Sequence, residues 1–422
     1  MINTVKNFLS NYTSSQKTFI LSVLVSVFFI SCDYAIIRPA STSVFLSNYS
    51  SKIFPYCWIL GVPFNLLVVY LYNRFLPTIG RLKVFFVFVS CIIIMHGLTS
   101  IFVQKFAWLI FLQFIFKDVY ILLAFKQTWS MIHTTIDTQK AKLLYGLMFG
   151  IGGFGSVLGG MVSGFFAVQI KSHNLFLFSI PIYLIVSLFY VRALKNSAVT
   201  NEDFKEEYKN DKSHSKEGFS LFKNSPYLLL LLLIVISMQV ATAFIDYQFN
   251  TYLEKAIPDV DLRTAFTGKV TSSINFLVTC FQFFGGFLLI NFVGLKKSHL
   301  FVPFILAINS LAFLFFPSFG MATYSHMTIK TLDYSFFGII REMLYIPLKT
   351  DEKYRAKAII DVFAYRSAKA VASLFLIFLQ NVTGLNIIIL ISIISMLVYF
   401  IWIRVVSTMF KKHSQMVENE GS

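Results

Sequence analysis

The sequence predicts an all-α polytopic membrane protein of twelve transmembrane helices, arranged as two pseudo-symmetric six-helix bundles. Three observations predict it. The 422-residue chain is 56% hydrophobic and only 13% charged, whereas soluble domains carry about 25% charged residues. Apolar runs of about 20 residues recur along it, each long enough to cross roughly 30 Å of hydrocarbon, and the mean hydropathy is +0.71. Charges and short motifs of the first half return in the second. The apolar/polar alternation that a membrane barrel needs is missing.

Taken in order, Met1 to Lys17 is short and polar. The first span covers Thr18 to Ile37; no convincing signal-peptide cleavage site follows, so it is expected to be retained. Pro55 to Leu76 is the second span and Leu82 to Val103 the third. The fourth, Phe106 to Ile132, carries Lys117, Asp118 and Lys126. The fifth, Ala141 to Val168, contains GLMFGIGGFGSVLGGMVSG, whose small residues let helices approach closely. Leu175 to Val191 is the sixth. Lys195 to Lys223 is the one long hydrophilic segment, mixed in charge and rich in Ser and Asn, and reads as a cytoplasmic linker. The second half repeats the scheme with Tyr227 to Thr251, Ala265 to Val293, His299 to Phe316, Met321 to Pro347, Ala358 to Gln380 and Ile387 to Val406.

Loop charge orients these spans. Arg74, Arg81, Lys83, Lys140, Lys142, Lys296, Lys297, Lys349, Lys353, Arg355, Lys411 and Lys412 fall on one side, and the opposite loops are poorer. The positive-inside rule then places both termini in the cytoplasm. Six spans, a cytoplasmic linker and six spans make a major-facilitator-like architecture. The expected domains are residues 1–194, a linker at 195–224, and 225–422 with the tail.

Polar residues inside the spans follow the duplication. Asp33-Tyr34 answers Asp246-Tyr247; NRFLPTIGRLK answers NFVGLKKS; and Lys126 and Lys142 lie sixteen positions apart, as do Arg341 and Lys357, with DTQKAK answering DEKYRAK. Copies half a chain apart indicate two halves related by an axis along the membrane normal, with the site between them. A charge within a bilayer costs several kcal/mol unless it faces a cavity or a partner. The stretch from Arg341 to Lys369 puts Arg341, Glu342, Asp361, Arg366 and Lys369 in or beside apolar sequence, so it should line something polar. Arg38, Asp118, Lys126, Asp246, Lys330, Arg341, Glu342, Arg366 and Lys369, with Asp33 and Asp333, form the candidate site. Arg and Lys lining one chamber suit anions, because they replace the hydration of phosphate or carboxylate oxygens. Asp33, Asp333 and Glu342 are candidates to carry a proton or a counter-charge. Tyr34, Trp129 and Tyr365 offer faces for a base, with ordinary packing as the simpler role.

Other classes are disfavoured. A net charge of +16 suggests nucleic acid in a soluble chain, but here it holds cytoplasmic loops inside. Cys32, Cys57, Cys91 and Cys280 lie in apolar spans and read as core residues, not as disulfides or a metal site. No Gly-rich stretch ends in GK[ST], and there is no nucleophile elbow or metal-ligand cluster. His96 and His133 read as isolated span or loop histidines. Neither an enzyme nor a cofactor is expected.

YIPLKTDEKYRAKAIIDV resembles the bacterial and plastid ATP/ADP translocases, the nucleotide transporter family. That family carries YIPLD…KGKAAIDV followed by a GKSGG-like turn. The matching residues are Tyr345 to Leu348, Ala356-Lys357-Ala358, Asp361-Val362 and Ala368-Lys369-Ala370. Its W…VDEAKRFY is similar to Trp129 with Ala141-Lys142 and Tyr145; its LVEVTWK…F-P is similar to FIDYQFN…I-P, which sets Asp246 on an essential acid and Pro258 on the proline. The resemblance implies that Arg38, Asp118, Asp246, Lys357 and Lys369 bind substrate. The departures are Ser41 where the family has a Lys, Lys349 where it has an acid, and Ala368, Val371 and Ala372 where it has glycines.

The function expected is secondary active transport of nucleotides, by ATP/ADP exchange or uptake of a related phosphorylated anion through alternating access, by a monomer in the bilayer. Two alternatives stand beside it: a proton-coupled carrier of another small anion or cofactor precursor, and a non-transporting sensor or scaffold.

Overall fold

The computed structural model describes residues 12–136, 138–197, 225–285, 292, 294–346, 348, 356–357, 359–382 and 386–420; for 138–143, 284–285, 361–363, 365–366 and 413–420 only the backbone is described. Most of the expected linker and part of the 341–369 stretch, including Lys349, Lys353 and Arg355, lie outside the described residues.

The described residues contain helices and turns and no strand. In hydrocarbon every backbone polar group must be satisfied within its own segment, which leaves an apolar run little choice but helix. The first half supplies α1 (Ser14–Asn48), α2 (Phe54–Ile79), α3 (Arg81–Phe102), α4 (Trp108–Thr135), α5 (Thr138–Ile170) and α6 (Ser179–Lys195). The second supplies α7 (Pro226–Ala256), α8 (Val260–Cys280), α9 (Leu295–Phe315), α10 (Phe319–Thr331), α11 (Gly338–Met343), α12 (Tyr365–Val382) and α13 (Ile387–Glu420). Among the described residues, nine segments are long and apolar enough to cross a membrane. The other three expected spans are α8, the shorter α12, and the pair α10–α11 joined by a π-helical turn at Leu332–Phe337. Large apolar side chains such as Phe154, Leu188 and Phe315 are exposed along these helices, as lipid contact requires. The chain is a multi-pass membrane protein.

One boundary and one burial differ from expectation. The first span was expected to stop at Ile37, before a proline and a Ser/Thr run, yet α1 continues through Pro39 to Asn48. Ser41 and Ser43 are fully buried there, and Thr42 returns its hydroxyl to the Arg38 carbonyl at 3.0 Å, a local bond that suits hydroxyl residues to apolar helices. Cys91 is exposed on the apolar surface rather than in a core.

The described residues group into two units. One comprises those within Met1–Asn48, Phe64–Tyr208 and Asp259–Phe276, the other those within Tyr49–Pro63, Lys209–Pro258 and Leu277–Ser422. In the first unit, α1 is the central element and α5 packs along it. A Cβ at Gly155 would lie 2.2 Å from the Phe28 carbonyl oxygen, and one at Gly159 2.2 Å from that of Cys32. Both helices therefore advance one turn between contacts. Gly160 and Gly164 on the next faces of α5 meet Ser272, Lys269 and Gly268 of α8. In the second unit, α7 is buried against α9, α10 and α13 through Leu231, Val235, Met238, Leu306, Ile329 and Trp402, and against α12 through Phe244, Tyr247, Leu376 and Leu379.

The duplication has a backbone signature. Gly80 caps α3 with φ 81 and ψ 157, and Gly294 caps α9 with φ 82 and ψ 156. That region is essentially closed to residues with a Cβ, so the matched GRLK and GLKK motifs record one turn used twice.

One loop carries a pH-sensitive clasp. At the start of α8, Asp261 accepts from the Ser172 N–H and hydroxyl, both at 2.7 Å, and lies 3.4 Å from the Lys171 ammonium. Burial alone raises its carboxyl, but the Ser172 bonds and then Lys171 outweigh burial and hold it below the usual carboxylate value. A depressed folded pKa contributes stability above the unfolded value, about 3.9, and that contribution is lost as pH falls through the folded value. Asp261→Asn should therefore melt below the parent protein at pH 7, with the gap closing below about pH 4. A gap that does not vary with pH removes the ionic explanation.

Candidate functional site

The site in the second unit is built on Asp246, buried in the second half of α7. One of its oxygens, Oδ2, is 2.9 Å from Lys330 Nζ and 3.3 Å from Lys369 Nζ; the other, Oδ1, is 3.2 Å from His326 Nδ1. His326 and Lys330 share one face of α10 because they are four residues apart. Phe249, nearly a turn beyond Asp246, stacks on the His326 ring at 4.2 Å and 13°, which fixes the imidazole against the carboxylate. Lys369 enters from α12 and also lies over the Trp58 ring, 4.2 Å from its centroid. Trp58 belongs to the part of α2 that is grouped with this unit. Nearby, Gln380 donates to the Tyr247 hydroxyl at 3.1 Å.

Two ammonium groups and an imidazole converge on this one carboxylate. Lys330 is only 3% exposed, whereas Lys369 is 29% exposed. Lys369 is therefore the ammonium of the cluster that solvent reaches, while Lys330 is a buried counter-ion of Asp246. A desolvated pair of this kind costs much of what it gains, so charges gathered inside a span point to a use for them.

The other predicted residues fall into further groups. In the second unit, Lys357 Nζ is 2.7 Å from Glu342, and Arg341 is 3.9 Å from the same carboxylate; Glu342 and Lys357 are well exposed. Asp333 is buried in the π-helical turn after α10. The side chains of Asp361, Tyr365 and Arg366 lie outside the described residues. In the first unit, Asp118 accepts from the Tyr34 hydroxyl at 2.9 Å and from Lys117 at 3.3 Å. Lys126 donates to Asn73 at 2.9 Å and lies 5.4 Å from the centre of the Tyr72 ring. Arg38 is half-buried on α1. Asp33 is fully buried and accepts from Tyr120 and Ser179.

Sequence reading missed His326, Trp58, Tyr120 and Ser179. The first had a signal in its spacing from Lys330; the others had none, because single polar or aromatic residues are common in such spans. The reading of His96 and His133 as isolated is corrected. His96 is buried 2.7 Å from the Ser179 hydroxyl, and His133 bonds to the Tyr145 hydroxyl at 3.1 Å. Trp129 packs on Tyr145 and Phe149.

An all-α, two-unit membrane protein with basic side chains gathered on a buried acid has the make-up of a membrane transporter. Solved transporters share its fold: a D-xylose–proton symporter (TM-score 0.64, 13% identity, 94% of this chain and 98% of that one) and a POT family transporter in complex with a thioalcohol-conjugated peptide (TM-score 0.66, 9% identity, 92% and 96%). The fold is that of the major facilitators. Residues 100–332 and 321–413 match the TLC ATP/ADP transporter family, and the chain belongs to that family. Among its relatives is ADP,ATP carrier protein 3 of Rickettsia bellii, 22% identical over 360 residues and covering 73% of this chain and 71% of that one. ADP,ATP carrier protein 1 of Chlamydia trachomatis is 25% identical over 178 residues, covering 37% of this chain and 34% of that one.

Proposed function

We propose that this transporter exchanges nucleotides, ATP for ADP or closely related phosphorylated anions, across a bacterial inner membrane by alternating access. The observation that carries this reading is the convergence of Lys330, Lys369 and His326 on Asp246, with Lys369 reached by solvent. A phosphate anion that reaches Lys369 accepts charge-assisted hydrogen bonds there. Exchange fits such a site, because charged groups within the bilayer reorient at lower cost with an anion bound to them. Lys369 would bind phosphate oxygens, Asp246 would hold Lys369 in place, and Arg38, Asp118, Lys126, Arg341, Lys357 and Arg366 would complete recognition. The relatives named as ADP,ATP carriers support the substrate class. Cytoplasmic termini, a linker at 195–224 between the halves, and a monomeric state belong to the same proposal.

The test is radiolabelled uptake into cells expressing the full chain, over nucleotides, cofactors and sugar phosphates, with and without preloaded counter-substrate. A nucleotide should be taken up, and preloading should accelerate it. Hydrogen bonds to charged groups contribute roughly 1.5–3 kcal/mol, so Lys369→Ala should lower uptake efficiency on the order of 10- to 100-fold. Lys369→Arg keeps the charge over Trp58, but a guanidinium does not replace an ammonium at a stacked site without loss, so its uptake should fall between Lys369→Ala and the parent protein. Equal uptake by Lys369→Ala and the parent protein would remove Lys369 from the site.

A further inference from the structure

The two acids that the duplication pairs are held in opposite ways. Asp246 has two ammonium groups within 3.3 Å. Asp33 has none: Tyr120 donates to Oδ2 at 2.7 Å, Ser179 donates to Oδ1, and no ion pair reaches it among the described residues. Ser179 is in turn 2.7 Å from Nδ1 of His96, which is fully buried, and His96 Nε2 has no hydrogen-bond partner there.

Among the described residues the surroundings offer no substitute cation. From α4, Lys117 turns to the Phe114 carbonyl at 2.9 Å and to Asp118, and Tyr34 on α1 is held by Asp118. Tyr183 of α6 packs on Tyr120, and Cys32 precedes Asp33 on its own helix. The face of α5 against α1 is glycine. The turn Ser172–Phe178 places Phe176 against His96, and no bond from its His173 reaches Asp33. A carboxylate desolvated this way without a cation is costly, and a carboxyl group is not.

We infer that Asp33, Ser179 and His96 form a proton-carrying site in the first unit, so that net substrate movement by this transporter is coupled to protons. The bonding accounts for one proton in full. With Asp33 ionised, the Ser179 hydroxyl donates to it, His96 donates Nδ1–H to Ser179, and Nε2 is bare. A proton arriving at Nε2 lets the Nδ1 proton pass to the Ser179 oxygen, whose own proton passes to Asp33 Oδ1. The group then has one proton more and no net charge, while Tyr120 keeps its bond to Oδ2. The coupling to transport rests on the function proposed above; the proton site does not.

Two measurements on the purified full chain separate these claims. Infrared difference spectra across a pH titration should show the C=O band of a buried carboxyl group, absent in Asp33→Asn. Ser179→Ala should keep the band but move its midpoint by at least about one pH unit, a tenfold change in proton affinity. A band that survives Asp33→Asn, no such band in the parent protein, or an unmoved midpoint overturns the site, whether or not nucleotides are transported. In proteoliposomes, an inward proton gradient should drive ATP accumulation by the parent protein. Asp33→Asn should lose that drive yet keep exchange against internal ATP. Gradient-driven accumulation by Asp33→Asn equal to the parent protein overturns the coupling.

Discussion

Asp246→Asn is expected to abolish uptake, by at least about 100-fold, because it removes a carboxylate that three basic side chains share. The variant takes from Lys330, only 3% exposed, the carboxylate that lies 2.9 Å from its ammonium. Breaking a buried pair from one side costs about 3–5 kcal/mol, so membrane abundance should fall as well. Loss of transport and loss of folding are separated by the double variant Asp246→Asn, Lys330→Met, in which both buried charges are gone. Its abundance should recover to near the parent level, while uptake stays lost because Lys369 no longer has its anchor. Recovery of uptake in the double variant would mean that Asp246 only neutralises Lys330 and has no part in the site.

Gly155→Val, like the same change at Gly159, should be among the most damaging substitutions at the described helix glycines. A Cβ at Gly155 meets the Phe28 backbone oxygen at 2.2 Å, and the branched methyls add to the clash. Backbone cannot rotate away as a side chain does, so α1 and α5 must separate and lose their shared contact along several turns. Overpacking typically costs 1–3 kcal/mol where side chains yield, and here roughly that or more is expected. Gly97→Ala is the control: nothing lies within 4 Å of a Cβ at that position, and an alanine that fits stabilises by about 0.4–1 kcal/mol. Thermal unfolding in detergent should show a large drop for Gly155→Val and none for Gly97→Ala. Equal melting of the two would remove close backbone packing as the reason for the glycines in α5.

Legibility in the sequence followed the physics of each feature. The helices were readable because an apolar run in lipid has few ways to satisfy its backbone. The repeat was readable because Gly80 and Gly294 must both adopt a conformation closed to other residues. Asp246 and Lys369 were readable because intramembrane charges are rare enough to be noticed singly. His326 and Trp58 were not, since an imidazole or an indole is cheap to bury and leaves no compositional trace.

The sequence by itself determined the class of fold, the repeat, and which residues carry charge within the spans. Only the tertiary structure decided which charges meet. Asp33 and Asp246 are separated by 213 positions, and so are Lys117 and Lys330, yet Lys330 bonds to its acid while Lys117 turns to Phe114 and Asp118. A lysine carries its charge on a long flexible stem, so its partner is set by which groups packing brings within reach. That is a property of neighbouring helices and not of the segment in which the lysine is written.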